Sequence, residues 1–261
     1  MSPEKIHTGL LLQILNDKIL HFKSINSTNT YLLGAHSHSN GTVVLADFQT
    51  SGRGRLARVW ESKKAESLLF SIFLNRDLVS YPHFAFTFIA AISVFEALQS
   101  IAPEINLALK WPNDILINNK KVCGILVECR TSGSNLSKIV IGIGLNVLQD
   151  KDFFKKQGLR GGTSLALETK VKSSLLTILK QIILKTDQNL ALYKNTDGLE
   201  IIKKWKSYCP YIGKKIKIDN GKEIIPGIFH DIGTDGSIII DSKGKLNNFY
   251  AGDVTVENTE I

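Results

Sequence analysis

Gln49-Thr50-Ser51-Gly52-Arg53-Gly54-Arg55-Leu56-Ala57-Arg58, with Trp60 just beyond, follows directly on a β-branched run at 42–46 (TVVLA). The run reads as a buried strand. The segment after it is too rich in glycine and charge to be a regular element. Glycines flanking two arginines make a loop that can wrap closely round a ligand, exposing backbone N–H groups beside two fixed positive charges. Composition leaves two other readings open, a flexible surface loop and an RGG-like nucleic-acid contact. The GxxxxGK[ST] order of a P-loop is absent, and no GxGxxG opens a helix here, so neither common nucleotide fingerprint applies.

A second stretch, Lys110-Trp111-Pro112-Asn113-Asp114, precedes Lys120-Lys121-Val122-Cys123-Gly124-Ile125-Leu126-Val127-Glu128. Lys121, just ahead of a Gly-led strand, can place its ammonium where a carboxylate and an α-phosphate meet. Asn113 and Asp114 can orient a metal or the amides of a ligand; the plainer reading is a tight turn with a buried Trp. A third stretch, Ser27-Thr28-Asn29, puts three small hydrogen-bonding side chains at a helix start, which by itself is a capping signal.

Around these segments the pattern is mixed. Residues 5–15 carry apolar residues at helical spacing (Ile6, Leu10, Ile14) and predict a short helix; 20–22 predict a strand, and 67–74 an alternating one. Pro82 opens an apolar helix through about Leu98 with Phe84, Phe88 and Phe95 as core. Strands are expected at 107–109, 115–117, 124–128 and 139–147; the glycines of the last (IVIGIGLNV) let something approach the backbone. A second long helix is expected at 172–192, with Leu175, Leu179, Ile182 and Ile183 inward, then a shorter one carrying Trp205. From Tyr211 the texture changes to short β-like pieces punctuated by Asn220-Gly221, Asp235-Gly236 and Lys243-Gly244. That is a small barrel behind an α+β domain, with the division at 1–208 and 209–261.

The 261 residues suffice for a full core, with 43% hydrophobic and 21% charged residues and a net charge of +8. A positive field suits anionic small molecules and acidic partners as well as nucleic acid, but much of the excess lies in Lys203-Lys204 and Lys214-Lys215, which read as solvated faces. No run approaches the 18 apolar residues of a membrane span, and the N-terminus lacks a signal-peptide cleavage pattern. Cys123, Cys129 and Cys209 form no CxxC pair, which fits a reducing cytoplasm and argues against zinc or a disulfide frame.

Taken in order, Ser-Thr-Asn (27–29), Gln-x-x-Gly-Arg-Gly-Arg (49–55), Lys-Trp-Pro-Asn-Asp (110–114), Lys-x-x-Gly-Ile-Leu-Val-Glu (121–128) and Gly-Ile-Gly-Leu-Asn-Val (142–147) resemble the biotin protein ligases. The resemblance covers about residues 20 to 150, with 211 onward similar to the family's SH3-like C-terminal domain. It implies an α+β fold, a mixed sheet with flanking helices of the class II aminoacyl-tRNA synthetase-like type, plus that small β-barrel. It implies ATP and Mg2+ as cofactors, biotin as substrate, and a biotin carboxyl carrier protein of acetyl-CoA carboxylase as partner. No specific nucleic acid or membrane is implied, and a monomer or homodimer both fit. Ser27, Thr28 and Gln49, with Asn29 beside them, resemble the groups that hydrogen-bond the ureido ring. Gly52, Arg53, Gly54 and Arg55 resemble the loop closing over the carboxylate. Lys121, with Gly124, matches the lysine between carboxylate and α-phosphate. Trp60, Asn113 and Asn146 match positions near the adenylate, and Asp114 an indirect metal-orienting one. Ala57 stands where the family pattern continues with glycine. Arg160-Gly-Gly-Thr-Ser-Leu165 sits where the family has its adenylate-covering loop.

Two rival readings are a lipoate- or octanoate-transferring enzyme on the same fold and a biotin-responsive DNA-binding regulator. The first needs an acid pocket apolar throughout, unlike Ser27, Thr28 and Gln49. The second needs a helix-turn-helix domain ahead of the catalytic part, and only about twenty residues precede the first expected strand.

Overall fold

The computed structural model describes residues 2–34, 37–75, 83–132, 135–170, 172–196 and 198–257. In chain order the large sheet and its helices are β1 (Glu4–His7), β2 (Lys18–Phe22), α1 (Thr28–Leu33), β3 (Val43–Ala46), β4 (Ser67–Asn75), α2 (His83–Ile101), β5 (Leu107–Lys110), β6 (Asp114–Ile117), β7 (Lys120–Ser132) and β8 (Asn135–Asn146). Next come α3 (Lys151–Lys156), α4 (Leu165–Glu168), α5 (Leu175–Asn195) and α6 (Leu199–Ser207). A second sheet closes the chain with β9 (Lys215–Asp219), β10 (Ile224–Ile232), β11 (Ile238–Ser242), β12 (Lys245–Phe249) and β13 (Asp253–Val256). The large sheet runs β1-β2-β3-β4-β8-β7-β6-β5, the small one β12-β11-β10-β9-β13. In the large sheet β2 and β3 pair in parallel and the other neighbours antiparallel, so it is mixed; the small sheet is antiparallel.

Strand parity decides what each face of the large sheet does. Side chains alternate across a strand, and residues paired directly opposite share a face. Ile139, Ile141, Ile143 and Leu145 of β8 pack on one face with Leu68, Phe70 and Ile72 of β4 and Ile125 of β7. Against them lie Phe86, Phe88 and Ile89 of α2 and Ile182 and Ile183 of α5, all buried. The alternate β8 residues are Val140, Gly142, Gly144 and Asn146. Val140 joins Phe22, Leu32, Val44 and Phe73 in a small cluster beneath α1. The other three leave the sheet surface open for the cleft described below.

Most expected strands are found, and the Asn-Gly, Asp-Gly and Lys-Gly turns have the positive φ such turns need: Gly221 at 84°, Gly236 at 77°, and Lys243 and Gly244 at 56° and 80°. Three expectations are corrected. Residues 5–15 are not a helix. Glu4–His7 pairs antiparallel with β2, and the backbone N–H groups of Gln13, Ile14 and Leu15 all donate to the buried Asp187 carboxylate of α5, at 2.8, 2.8 and 2.7 Å. A long-range carboxylate therefore outbids the local helical bonds. β4 does not alternate between buried and exposed, because both its faces are covered: Ser67 through Leu74 are all buried. Finally, 84–101 is long and apolar enough to cross a membrane, contrary to the sequence expectation, but it packs as the core helix of this fold. Pro82, expected to open that helix, lies outside the described residues. The second long helix begins at Leu175, capped by Ser174, whose hydroxyl accepts from Thr177 N–H.

The two sheets share one apolar core and polar ties. Trp111 Nε1 donates to Gly236 O at 3.1 Å, so the plain reading of a turn with a buried Trp holds for that residue. Lys206 pairs with Asp231 at 2.6 Å. Asp187→Ala leaves three backbone donors near the core without their acceptor. It is expected to cost about 2–4 kcal/mol, read as a lower urea midpoint with an unchanged slope; an unshifted midpoint contradicts it.

Candidate active site

The Gly/Arg segment is a short hairpin rather than a shapeless loop. Trp60 N–H donates to Gly52 O (3.0 Å), Gly54 N–H to Arg58 O (2.7 Å), and Arg53 and Val59 form an antiparallel bridge. Its tip is a single 3-10 turn, Arg55–Ala57, in which Leu56 and Ala57 both adopt left-handed backbone at φ 52° and 58°. Gly52 is needed for the closure: a Cβ there would lie 2.6 Å from Trp60 O.

The hairpin covers a cleft of about 680 Å³. Its floor is the open face of β7 and β8, where Gly124 and Gly144 are paired directly opposite each other. The Trp60 indole lies against both: a Cβ on Gly124 would come 2.8 Å from its ring and one on Gly144 2.5 Å. Lys121 Nζ stands 5.6 Å from the centroid of the same ring. Because Gly142, Gly144 and Asn146 are i, i+2 and i+4 on one strand, they form a straight row about 13 Å long.

Over Gly142 the row ends in a buried polar cluster. The Asn29 side chain fills the space a Gly142 Cβ would take. Thr28 donates through its backbone N–H (2.8 Å) and its hydroxyl (3.1 Å) to Gln49 Oε1. The Ser71 hydroxyl lies 2.6 Å from Thr28 Oγ1 and 2.5 Å from Asn29 Oδ1. Asn29 Nδ2 donates to Glu128 Oε2 at 2.7 Å, and Arg53 pairs with the same oxygen at 2.8 Å. Ser27 caps α1, accepting from Thr30 N–H.

At the other end the groups are cationic. Lys121 Nζ pairs with Asp114 at 2.6 Å. Arg55 donates to Asn113 Oδ1 (3.1 Å) and Gly252 O (3.2 Å) and faces Asp253 at 3.5 Å; Arg58 also pairs with Asp253. Burial lowers the Arg55 pKa, opposed by the Asp253 and Asp114 charges; an arginine stays cationic regardless. Segment 158–163 walls this end. Lys121 N–H donates to Gly161 O (2.7 Å), Thr163 N–H to Lys121 O (2.9 Å), and Asn146 Nδ2 to Thr163 O (3.1 Å).

All the candidate catalytic, biotin-binding, adenylate-binding and metal-orienting residues named from the sequence except Gly52 line the cleft, together with Lys110, Arg160 and Asp253, and Gly52 closes the hairpin behind it. Sequence reading missed Ser71, Glu128 and Asp253 as site residues. Glu128 was inside a quoted motif and Ser71 could have been placed by pairing it across from Gly142. Asp253 had no local signal. Among the described residues no group of three or more His, Cys, Asp or Glu side chains could hold a metal, and Asp114 is already engaged by Lys121. The residues present do not fit a resident metal. No cysteine lines the cleft, and burial pushes the thiols up, to about 11 for Cys129 and about 12 for Cys209, and further for Cys123.

The profile of the Biotin/lipoate A/B protein ligase family matches residues 21–146. The bifunctional ligase/repressor BirA of Bacillus spizizenii is 30% identical over 257 residues, covering 97% of this chain and 78% of that protein. This chain belongs to the biotin protein ligase family. A biotin--[acetyl-CoA-carboxylase] ligase of Paracoccus denitrificans is 28% identical over 225 residues, 82% of this chain and 90% of that protein. The biotin protein ligase of Aquifex aeolicus, solved with biotin and ATP, is 29% identical and superposes with a TM-score of 0.77 over 92% of this chain and 99% of that one. The mixed sheet with flanking helices is thus the biotin protein ligase fold.

Within that family this chain's Ala57 occupies a conformation that suits glycine, at a cost of roughly 1–2 kcal/mol for a residue with a Cβ. Ala57→Gly should relieve it and raise stability by about 0.5–1 kcal/mol once the unfolded chain's extra freedom is counted. A lower thermal midpoint contradicts this.

Proposed function

We propose that this ligase condenses biotin with ATP to biotinyl-5′-AMP and passes the biotinyl group to a lysine of a biotin carboxyl carrier domain, in the cytoplasm. The observation that carries the reading is a single cleft with a buried polar cluster over Gly142, Lys121 Nζ beside the paired Gly124 and Gly144, and Arg55 on Asn113 next to them. A urea ring presents one acceptor and two donors, which Thr28, Gln49, Asn29 and Ser27 can satisfy at the polar end, with Ser71 behind them holding Thr28 and Asn29. The carboxylate of an extended chain then reaches the cationic end, where Trp60, Asn113, Asn146 and segment 158–163 surround space for a nucleotide.

The first step is charge management. A biotin carboxylate oxygen attacks the α-phosphorus and pyrophosphate leaves, so two anions must be held together. Lys121 exchanges Asp114 for the reacting oxygens, and Arg55 and Arg53 add positive charge from the hairpin. No nucleophilic side chain is needed. Mg2+ is expected only as the companion of the ATP phosphates, whose oxygens supply its ligands. The mixed anhydride is sensitive to water, which the hairpin and segment 158–163 exclude. In the second step the acceptor lysine amine attacks the acyl carbon, AMP leaves, and an amide forms. The net positive charge gives an acidic carrier domain a favourable encounter.

A lipoate- or octanoate-transferring reading fits less well. An apolar acyl tail would bury the polar cluster without partners for it, and a thioester route has no cysteine in the cleft. We also place the unit boundary at 208/209, ahead of the small sheet. Lys121→Ala should slow adenylation by on the order of 4 kcal/mol, about a thousandfold; near-normal pyrophosphate release contradicts its role. Wild-type chain should bind labelled biotin in preference to lipoate and add one biotinyl mass to a carrier domain; preference for lipoate favours the rival.

A further inference from the structure

The small C-terminal sheet has no assigned task in the reaction, yet one of its residues reaches the cleft. Among the described residues lining it, Asp253 is the one from that sheet. Two arginines three positions apart on the hairpin converge on this carboxylate: Arg55 on Oδ1 at 3.5 Å and Arg58 on Oδ2. The neighbouring Gly252 carbonyl accepts from Arg55 Nη2 at 3.2 Å. The donor platform is fixed by backbone. Asp253 opens β13 in register with Asp219 of β9, and Gly252 sits at φ 146°, where an added Cβ would lie 2.8 Å from Asp219 O. The hairpin tip, in contrast, has little apolar hold, since Leu56 and Val59 are 68% and 67% exposed. Polar ties carry it: Arg53 to Glu128 and Arg55 to Asn113 on the large-sheet side, Arg55 and Arg58 to 252–253 on the other.

We propose that Asp253 is a positioning residue of the ligase reaction, hooking the Gly/Arg hairpin to the C-terminal sheet through Arg58 so that the hairpin stays closed when Arg55 turns to the substrate anions. This rests on the adenylate-forming reading above. Arg55 has two calls on its charge, the Asp253 carboxylate and the incoming phosphate, and one guanidinium serves both poorly. Arg58 lets Asp253 give up Arg55 without losing the hairpin. Its role is therefore retention of the intermediate rather than the chemistry of forming it.

The test uses the full chain loaded with biotin and ATP, with release of biotinyl-5′-AMP followed by rapid filtration in Asp253→Ala, Asp253→Asn and Arg58→Gln. Each should release adenylate about three- to tenfold faster, with a larger change in release and biotin KM than in adenylation kcat. Asp231→Asn, which cuts the Lys206 pair elsewhere on the same sheet, should leave release unchanged. Release at the parental rate from Asp253→Ala and Arg58→Gln overturns the proposal, as does equal acceleration by Asp231→Asn, which would mean general loosening. Hydrogen exchange of the ligand-free chain separates this from failure of the functional reading. Asp253→Ala should raise deuterium uptake at 52–60 whether or not adenylate forms, and unchanged uptake there overturns the hook.

Discussion

Two glycines facing each other across β7 and β8 are the constraint on which the cleft depends. Gly124 and Gly144 are directly paired, and the Trp60 ring lies where their side chains would be. Any Cβ at Gly144 would move the indole, and with it the closure of the hairpin on Gly52. Strand parity does the rest. The same nine residues, IVIGIGLNV, send isoleucine and leucine into the core under α2 and α5 while leaving glycine and asparagine on the opposite face. One strand thus stabilises the fold with one half of its side chains and makes room for substrate with the absence of the other half.

Charge matching is the second feature. Arg53 sits on Glu128, Lys121 on Asp114, and Arg55 and Arg58 on Asp253. Cations left alone in a partly buried cleft would carry a desolvation cost. The carboxylates offset it and hold the side chains near where they are needed. On the proposed reading, each exchange of a carboxylate for a carboxylate-phosphate centre would be nearly balanced in charge, with the field preorganised rather than assembled during the reaction.

Much of this was legible in the sequence because the informative signals were local. The Gly/Arg hairpin, the Ser27 cap, the Gly-led β7 and the punctuated C-terminal strands each declare themselves within ten residues. The N-terminal segment was misread because its decisive partner, Asp187, is more than 170 residues away and supplies an acceptor that no local pattern announces. Asp253 was invisible for the same reason, standing 195 positions after Arg58 (253 − 58). Ser71 was hidden differently. It lies in a strand buried on both faces, where a serine looks like an interruption of the apolar pattern until register sets it opposite Gly142. Asp114 carries a local motif signal, but its partner does not: only the fold brings its carboxylate to 2.6 Å from Lys121 Nζ.

The central claim is that one ligand spans the row from the polar cluster to the cationic end. A crystal structure with a non-hydrolysable biotinyl-adenylate analogue tests it most directly. The account predicts the ureido ring within hydrogen-bond distance of Thr28 and Gln49, and Lys121 turned from Asp114 to the linkage between acyl group and phosphate. A ligand lying elsewhere, or bound with Lys121 still on Asp114 and out of reach of that linkage, would contradict it.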